Sequence, residues 1–118
     1  MKMRKTVVGI VAILALAACS ADRSAEEPLS GEALAADLGC AACHTDVDTE
    51  MAPTWNGIWG TSVELEDGST VTVDEAYVRR SIDEPQADIV AGYSASMPVV
   101  PMSDEERSAL VDYIESLG

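Results

Sequence analysis

The 118-residue chain contains no phenylalanine, and its aromatic share is 4%. So small a chain with so few bulky side chains needs help to close a core, from a disulfide, a metal or a cofactor. Bases are scarce: 7 Lys and Arg face 21 Asp and Glu, a formal charge of −14. That balance excludes a nucleic-acid partner, which requires cations to neutralise phosphates. The length supports one small domain and not two. There is a single histidine, His44, so no site within the chain can be built on two imidazoles. The longest apolar run, Val7 to Ala18, is too short for a membrane span.

What is present falls into two unlike parts. Lys2, Arg4 and Lys5 precede that apolar run, and small residues follow, the layout of an export signal. The junction Leu16-Ala17-Ala18-Cys19 resembles the lipobox of bacterial lipoproteins. The resemblance implies acylation of Cys19, cleavage just before it, and a protein tethered to a membrane by its acyl chains in the bacterial cell envelope, on the periplasmic side. Ser20, where an inner-membrane retention signal would have Asp, leans toward the outer membrane without deciding between the two. The expected organisation is a signal peptide over residues 1–18, a lipidated cysteine and polar tether over 19–29, and a domain over 30–118. After cleavage no lysine remains, and Arg23, Arg79, Arg80 and Arg107 stand against all 21 acids, a net −17. Such a surface suits a partner with a basic docking face, or a salty medium that screens self-repulsion.

Within the domain the periodicity predicts a small, mostly helical unit with long loops. A first helix opens at Ser30 or Gly31 with Leu34, Leu38 and Ala41 on one face. Val63 and Leu65, then Val71 and Val73, alternate around an Asp67-Gly68 turn, a short β-hairpin. Asp74 caps a helix from Glu75 to about Asp83 that Pro85 ends. Ser103 with Glu106 forms a capping box for a last helix whose stripe is Leu110, Tyr113, Ile114 and Leu117. The acidic clusters Asp46/Asp48/Glu50 and Glu64/Glu66/Asp67 read as solvated surface, since neither has the spacing of a calcium loop.

Cys40-Ala41-Ala42-Cys43-His44 carries the chemistry. C-x-x-C-H is the attachment pattern of c-type haem: two thiols one turn apart each add to a vinyl, and the adjacent imidazole projects toward the iron. Zinc would need a fourth ligand that nothing in the sequence selects, and a redox pair or disulfide leaves His44 unused. One haem c bonded through Cys40 and Cys43, with Cys19 committed to lipid, also resolves the odd cysteine count. With one histidine, the natural second axial ligand is a methionine: Met51, Met97 or Met102. Met51 follows His44 closely, Met102 suits core packing, and Met97 lies in the irregular run Gly92 to Pro98, which can present a side chain over a flat ring. Two strong axial ligands would leave one-electron transfer as the chemistry, not catalysis at an open iron.

These segments together resemble the class I c-type cytochromes. The likeness covers Gly31 to Leu117 through the C-x-x-C-H motif, Ala52-Pro53, Gly57-Ile58-Trp59-Gly60, Tyr77 to Pro85, Gly92-Tyr93, Met97-Pro98 and the last helix. In pattern the middle and late segments are most similar to the cytochrome domain of subunit II of bacterial haem–copper oxidases. Ala52 stands where the family often has Gly, and neither a copper domain nor a pair of membrane helices precedes the domain, as that subunit would require. The resemblance implies an all-α fold of three to four helices around one haem and a monomeric electron carrier of a respiratory chain, not an enzyme, whose partners would be a redox protein donor and a redox protein acceptor. Met97 would be the distal ligand, the Pro53 carbonyl would orient His44, Trp55 would lie against the ring and Trp59 near a propionate. The first and last helices would cross near Gly31 or Ala35 and Tyr113, and the haem edge by the thioethers would be exposed. A dedicated haem subunit of a periplasmic dehydrogenase or oxidase is the other role this family offers.

Overall fold

The computed structural model describes residues 27–94 and 96–118. Cys19 and the expected signal and most of the expected tether lie outside them. The element order is α1 (Gly31–Asp37), a 3₁₀ turn (Cys40–Ala42), β1 (Ser62–Glu64), β2 (Thr70–Thr72), α2 (Glu75–Asp83) and α3 (Asp104–Ser116). The architecture is thus three helices with one two-stranded antiparallel sheet, the small helical class the periodicity predicts. No helix among the described residues is long and apolar enough to cross a membrane.

Each helix begins where a short polar side chain can satisfy orphan N–H groups. Ser30 accepts from Ala33 N, Asp74 from Tyr77 N, and Ser103 from Glu106 N. At α3 the Glu106 carboxylate returns the bond to Ser103 N at 2.7 Å, completing the capping box. Acids crowd the first turn of α3 (Asp104, Glu105, Glu106), where the positive end of the helix dipole favours them.

The buried face of α1 differs from the expected stripe. Gly31 and Ala35 are buried, Leu34 and Leu38 are half-buried, and Ala41 is exposed. Two causes combine. Gly39 takes a left-handed φ of +82°, which ends the helix and changes its phase before Ala41. Small residues also let α1 pack directly on the α3 backbone: a side chain at position 31 would run into Ala109 O and Tyr113 Cβ.

The hairpin pairs Val63 with Val71, flanked by Ser62↔Thr72 and Glu64↔Thr70. Leu65 and Val73 extend its inward face beyond the ladder and are buried. The hairpin is not a free excursion. Glu66 N donates to Ile89 O at 2.8 Å and Ala91 N to Glu64 O at 2.9 Å, stitching it to the segment after α2. Val73 joins Val78 and Ile82 of α2 and Val111 and Ile114 of α3 in the core, with Met102 and Trp59 packed against it. Val111 is a core residue the α3 stripe omitted. Polar contacts lock α2 to α3: Arg107 Nε meets Asp83 Oδ1 at 2.8 Å, and Arg79 Nη2 donates to Ser108 Oγ at 2.9 Å.

Candidate functional site

The site grows from the turn after α1. Ala42 N bonds Gly39 O at 3.2 Å, and Cys43 N and His44 N both bond Cys40 O, at 3.2 and 3.0 Å. In a 3₁₀ turn positions i and i+3 eclipse, so the turn aligns Cys40 with Cys43. Both are free, half-buried thiols, and burial pushes the Cys40 thiol above its ordinary range.

His44 follows directly. Its Nδ1 donates to Pro53 O at 2.8 Å. A carbonyl only accepts, so the proton is on Nδ1 and the Nε2 lone pair is left for an electrophile. Burial lowers the imidazole pKa, and the Pro53 bond offsets this in part. The neutral ring therefore persists to lower pH, the form a metal needs. Trp55 stacks on the imidazole with centroids 4.6 Å apart and planes at 19°, and meets Tyr113 of α3 edge-on at 6.3 Å.

The loop that carries Pro53 is irregular yet cross-tied. Thr49 Oγ1 accepts from Met51 N and Ala52 N, each at 3.2 Å. Asp48 Oδ1 accepts from Thr54 N at 2.9 Å, Thr54 Oγ1 donates to Thr45 O at 2.8 Å, and Asn56 Nδ2 to Asp46 O at 3.1 Å. Asp46, Asp48 and Glu50 are exposed, and Asp48 also serves this lattice. Ala52, in the place often held by Gly, is buried.

His44 opens onto a cleft of about 130 Å³. Its walls are mostly apolar: Ala52, Ile58, Val73, Val78, Ile82 and Ile114. Met51, Met97, Pro53 and Trp55 also line it. A neighbouring apolar cavity is lined by Cys40, Met97, Met102 and Leu110, so Met97 borders both spaces and Met102 only the second. Met51 is more than half exposed, whereas Met97 is partly buried. Trp59 packs on the core and is not among the residues lining the cleft.

Several lining residues have no role assigned by the resemblance. Tyr77 and Ser81 stand one turn apart on α2, and Asp88, Tyr93 and Ser94 follow on the next segment. Ser81 Oγ is buried without a hydrogen-bond partner. Burial pushes the Tyr77 phenol above its ordinary value, the neighbouring Ser81 hydroxyl offsets this in part, and Asp88 adds to it. The i, i+4 spacing of Tyr77 and Ser81 is the one signal that could have paired them.

These residues fit a haem. A flat apolar macrocycle suits the aliphatic walls, an uncommitted imidazole nitrogen and a thioether suit iron, and Cys40 lines the neighbouring cavity that Met97 shares. The orphan Ser81 hydroxyl is a polar atom in that wall still lacking a mate. The comparisons agree with this chemistry. Residues 29–118 match the cytochrome c family model, and residues 3–20 match that of the prokaryotic membrane lipoprotein lipid attachment site. None of the curated proteins compared with the chain matches it. A family model spanning the whole described domain, over a fold and cleft of this kind, implies covalently bound haem c and electron transfer, and the attachment site implies a lipid-anchored envelope protein: the chain belongs to the cytochrome c family.

Proposed function

We propose that this chain is a single-haem electron carrier of a bacterial respiratory chain, tethered on the periplasmic side of a membrane through Cys19. In this reading residues 1–18 are removed, 19–29 form the tether and 30–118 the redox domain. Cys40 and Cys43 hold the haem by thioethers, and His44 and Met97 hold the iron. When bound, the group supplies a one-electron ferric–ferrous couple, which thioether ligation moves to higher potential.

The remaining roles fall to the chain's own residues. Pro53 fixes the His44 tautomer and ring orientation, a contact that also raises the basicity of the ligating nitrogen. Trp55 limits rotation of the imidazole from the side. The aliphatic walls exclude water. The observation that carries the reading is the Nδ1 bond from His44 to Pro53 at 2.8 Å, on a cleft that Met97 also lines. Met102 has a competing structural role in core packing. The lysine-free acidic surface of residues 27–118 supports partners with basic faces.

The test is spectroscopy and potentiometry of the matured holoprotein. Met97→Ala removes the sulfur-to-iron absorption band and lowers the potential steeply, and Met102→Ala keeps both. The reverse outcome would assign the ligand to Met102.

A further inference from the structure

The segment that presents Met97 is sparsely tied. Over residues 94–102 the described backbone makes one hydrogen bond, Ser96 N to Ser94 O at 2.8 Å, and Pro98 and Pro101 have no N–H to give. Among the described residues, one hydrogen bond reaches this segment from elsewhere: Gln86 Nε2 donates to Met97 O at 3.1 Å.

Gln86 stands on firm ground. Pro85 before it is buried and lines the cleft. The turn continues out of α2 through Glu84 N to Arg80 O at 2.7 Å and Ala87 N to Glu84 O at 2.9 Å. Arg80 pairs with Asp88 at 3.2 Å, and Ile89 and Ala91 are stitched to the hairpin.

We infer that Gln86 is a positioning residue for Met97: its side-chain amide latches the Met97 carbonyl to the end of α2 and so holds the thioether at the cleft. The inference rests on Met97 being the sulfur ligand. Pro98 restricts Met97 to extended backbone, so a carbonyl fixed by Gln86 leaves the side chain few directions. Without the latch the segment samples more conformations, and the sulfur competes less well with an outside ligand for ferric iron. The apparent affinity of that competitor then rises by the factor lost from the sulfur-bound state.

The experiment titrates imidazole into ferric holoprotein at fixed pH and follows the sulfur-to-iron band. Gln86→Ala and Gln86→Glu, the latter of equal size but without a donor when ionised, tighten imidazole binding about three- to fivefold, the range of one partly solvated hydrogen bond. Gln86→Arg, which restores a donor and does not ligate iron, returns the affinity toward that of the unmodified protein. Equal affinities in all four proteins, with the band present, overturn the latch and leave Met97 ligation standing. Equal tightening in the Arg variant overturns the donor role. A missing band in the unmodified protein overturns Met97 ligation itself.

Discussion

Replacing Gly31 by alanine tests how closely α1, which leads into the C-x-x-C-H turn, packs on α3. Alanine is the better helix former by up to about 1 kcal/mol, and it also restricts the unfolded chain. On local grounds alone the change should stabilise the protein. The packing says otherwise. A Cβ at position 31 would enter the van der Waals envelope of Ala109 O and Tyr113 Cβ, and would stand 2.9 Å from the Ala109 carbonyl carbon. Two of those three atoms are backbone inside α3 and cannot rotate aside. Either α3 bends or α1 lifts, and lifting α1 uncovers Ala35, which is 2% exposed. Overpacking of this kind costs about 1–3 kcal/mol, and the absence of a yielding side chain places the gross cost at the upper end. After the propensity gain the net loss is about 2 kcal/mol, a fall in Tm of about 8–16 °C for a domain of this size. The assay is thermal unfolding of the matured holoprotein by circular dichroism, with Ala33→Gly on the exposed side of α1 as reference. A Gly31→Ala protein as stable as the parent, or more so, would refute the close crossing.

Three further outcomes follow from named contacts. Leu110→Ala, at a residue 1% exposed that lines the cavity shared by Cys40 and Met97, should lose about 2–5 kcal/mol in denaturant unfolding. Ser103→Ala breaks the capping box of α3 and should cost about 1 kcal/mol by the same assay, with Ser103→Asp retaining most of it. Tyr77 gives a pH signature. Its folded pKa is raised by burial, so its contribution is intact below the ordinary tyrosine range near 10 and is lost as pH rises through the higher folded value. Unfolding free energies measured across that alkaline window should fall with pH in the parent and less steeply in Tyr77→Phe.

The parts of the molecule governed by local chemistry were readable in advance. The opening of α1 at Ser30 or Gly31, the caps at Asp74 and Ser103, the Asp67-Gly68 turn and the stop at Pro85 each depend on a few adjacent residues, and all stand where expected. The C-x-x-C-H turn belongs to the same class. What escaped depends on partners distant in the chain. Gly31 and Ala35, not the leucines, face α3 because only small residues allow that separation. Val111 enters the core because Val73 of the hairpin reaches it. Ser81 and Asp88 became part of the cleft only once α2 and its following segment closed one wall. The sixteen-residue stretch between His44 and Thr61 has no periodic pattern, yet side-chain hydroxyls and amides bind it into a frame.

Arg79, Arg80 and Arg107 each spend their charge on an acid within the fold. Cations neutralised in this way have little left to offer anionic headgroups. The acyl anchor thus draws the polypeptide toward the bilayer while the acidic body is pushed from it, and the redox domain should stand off the lipid and tumble instead of lying flat. Raising ionic strength would shorten that standoff.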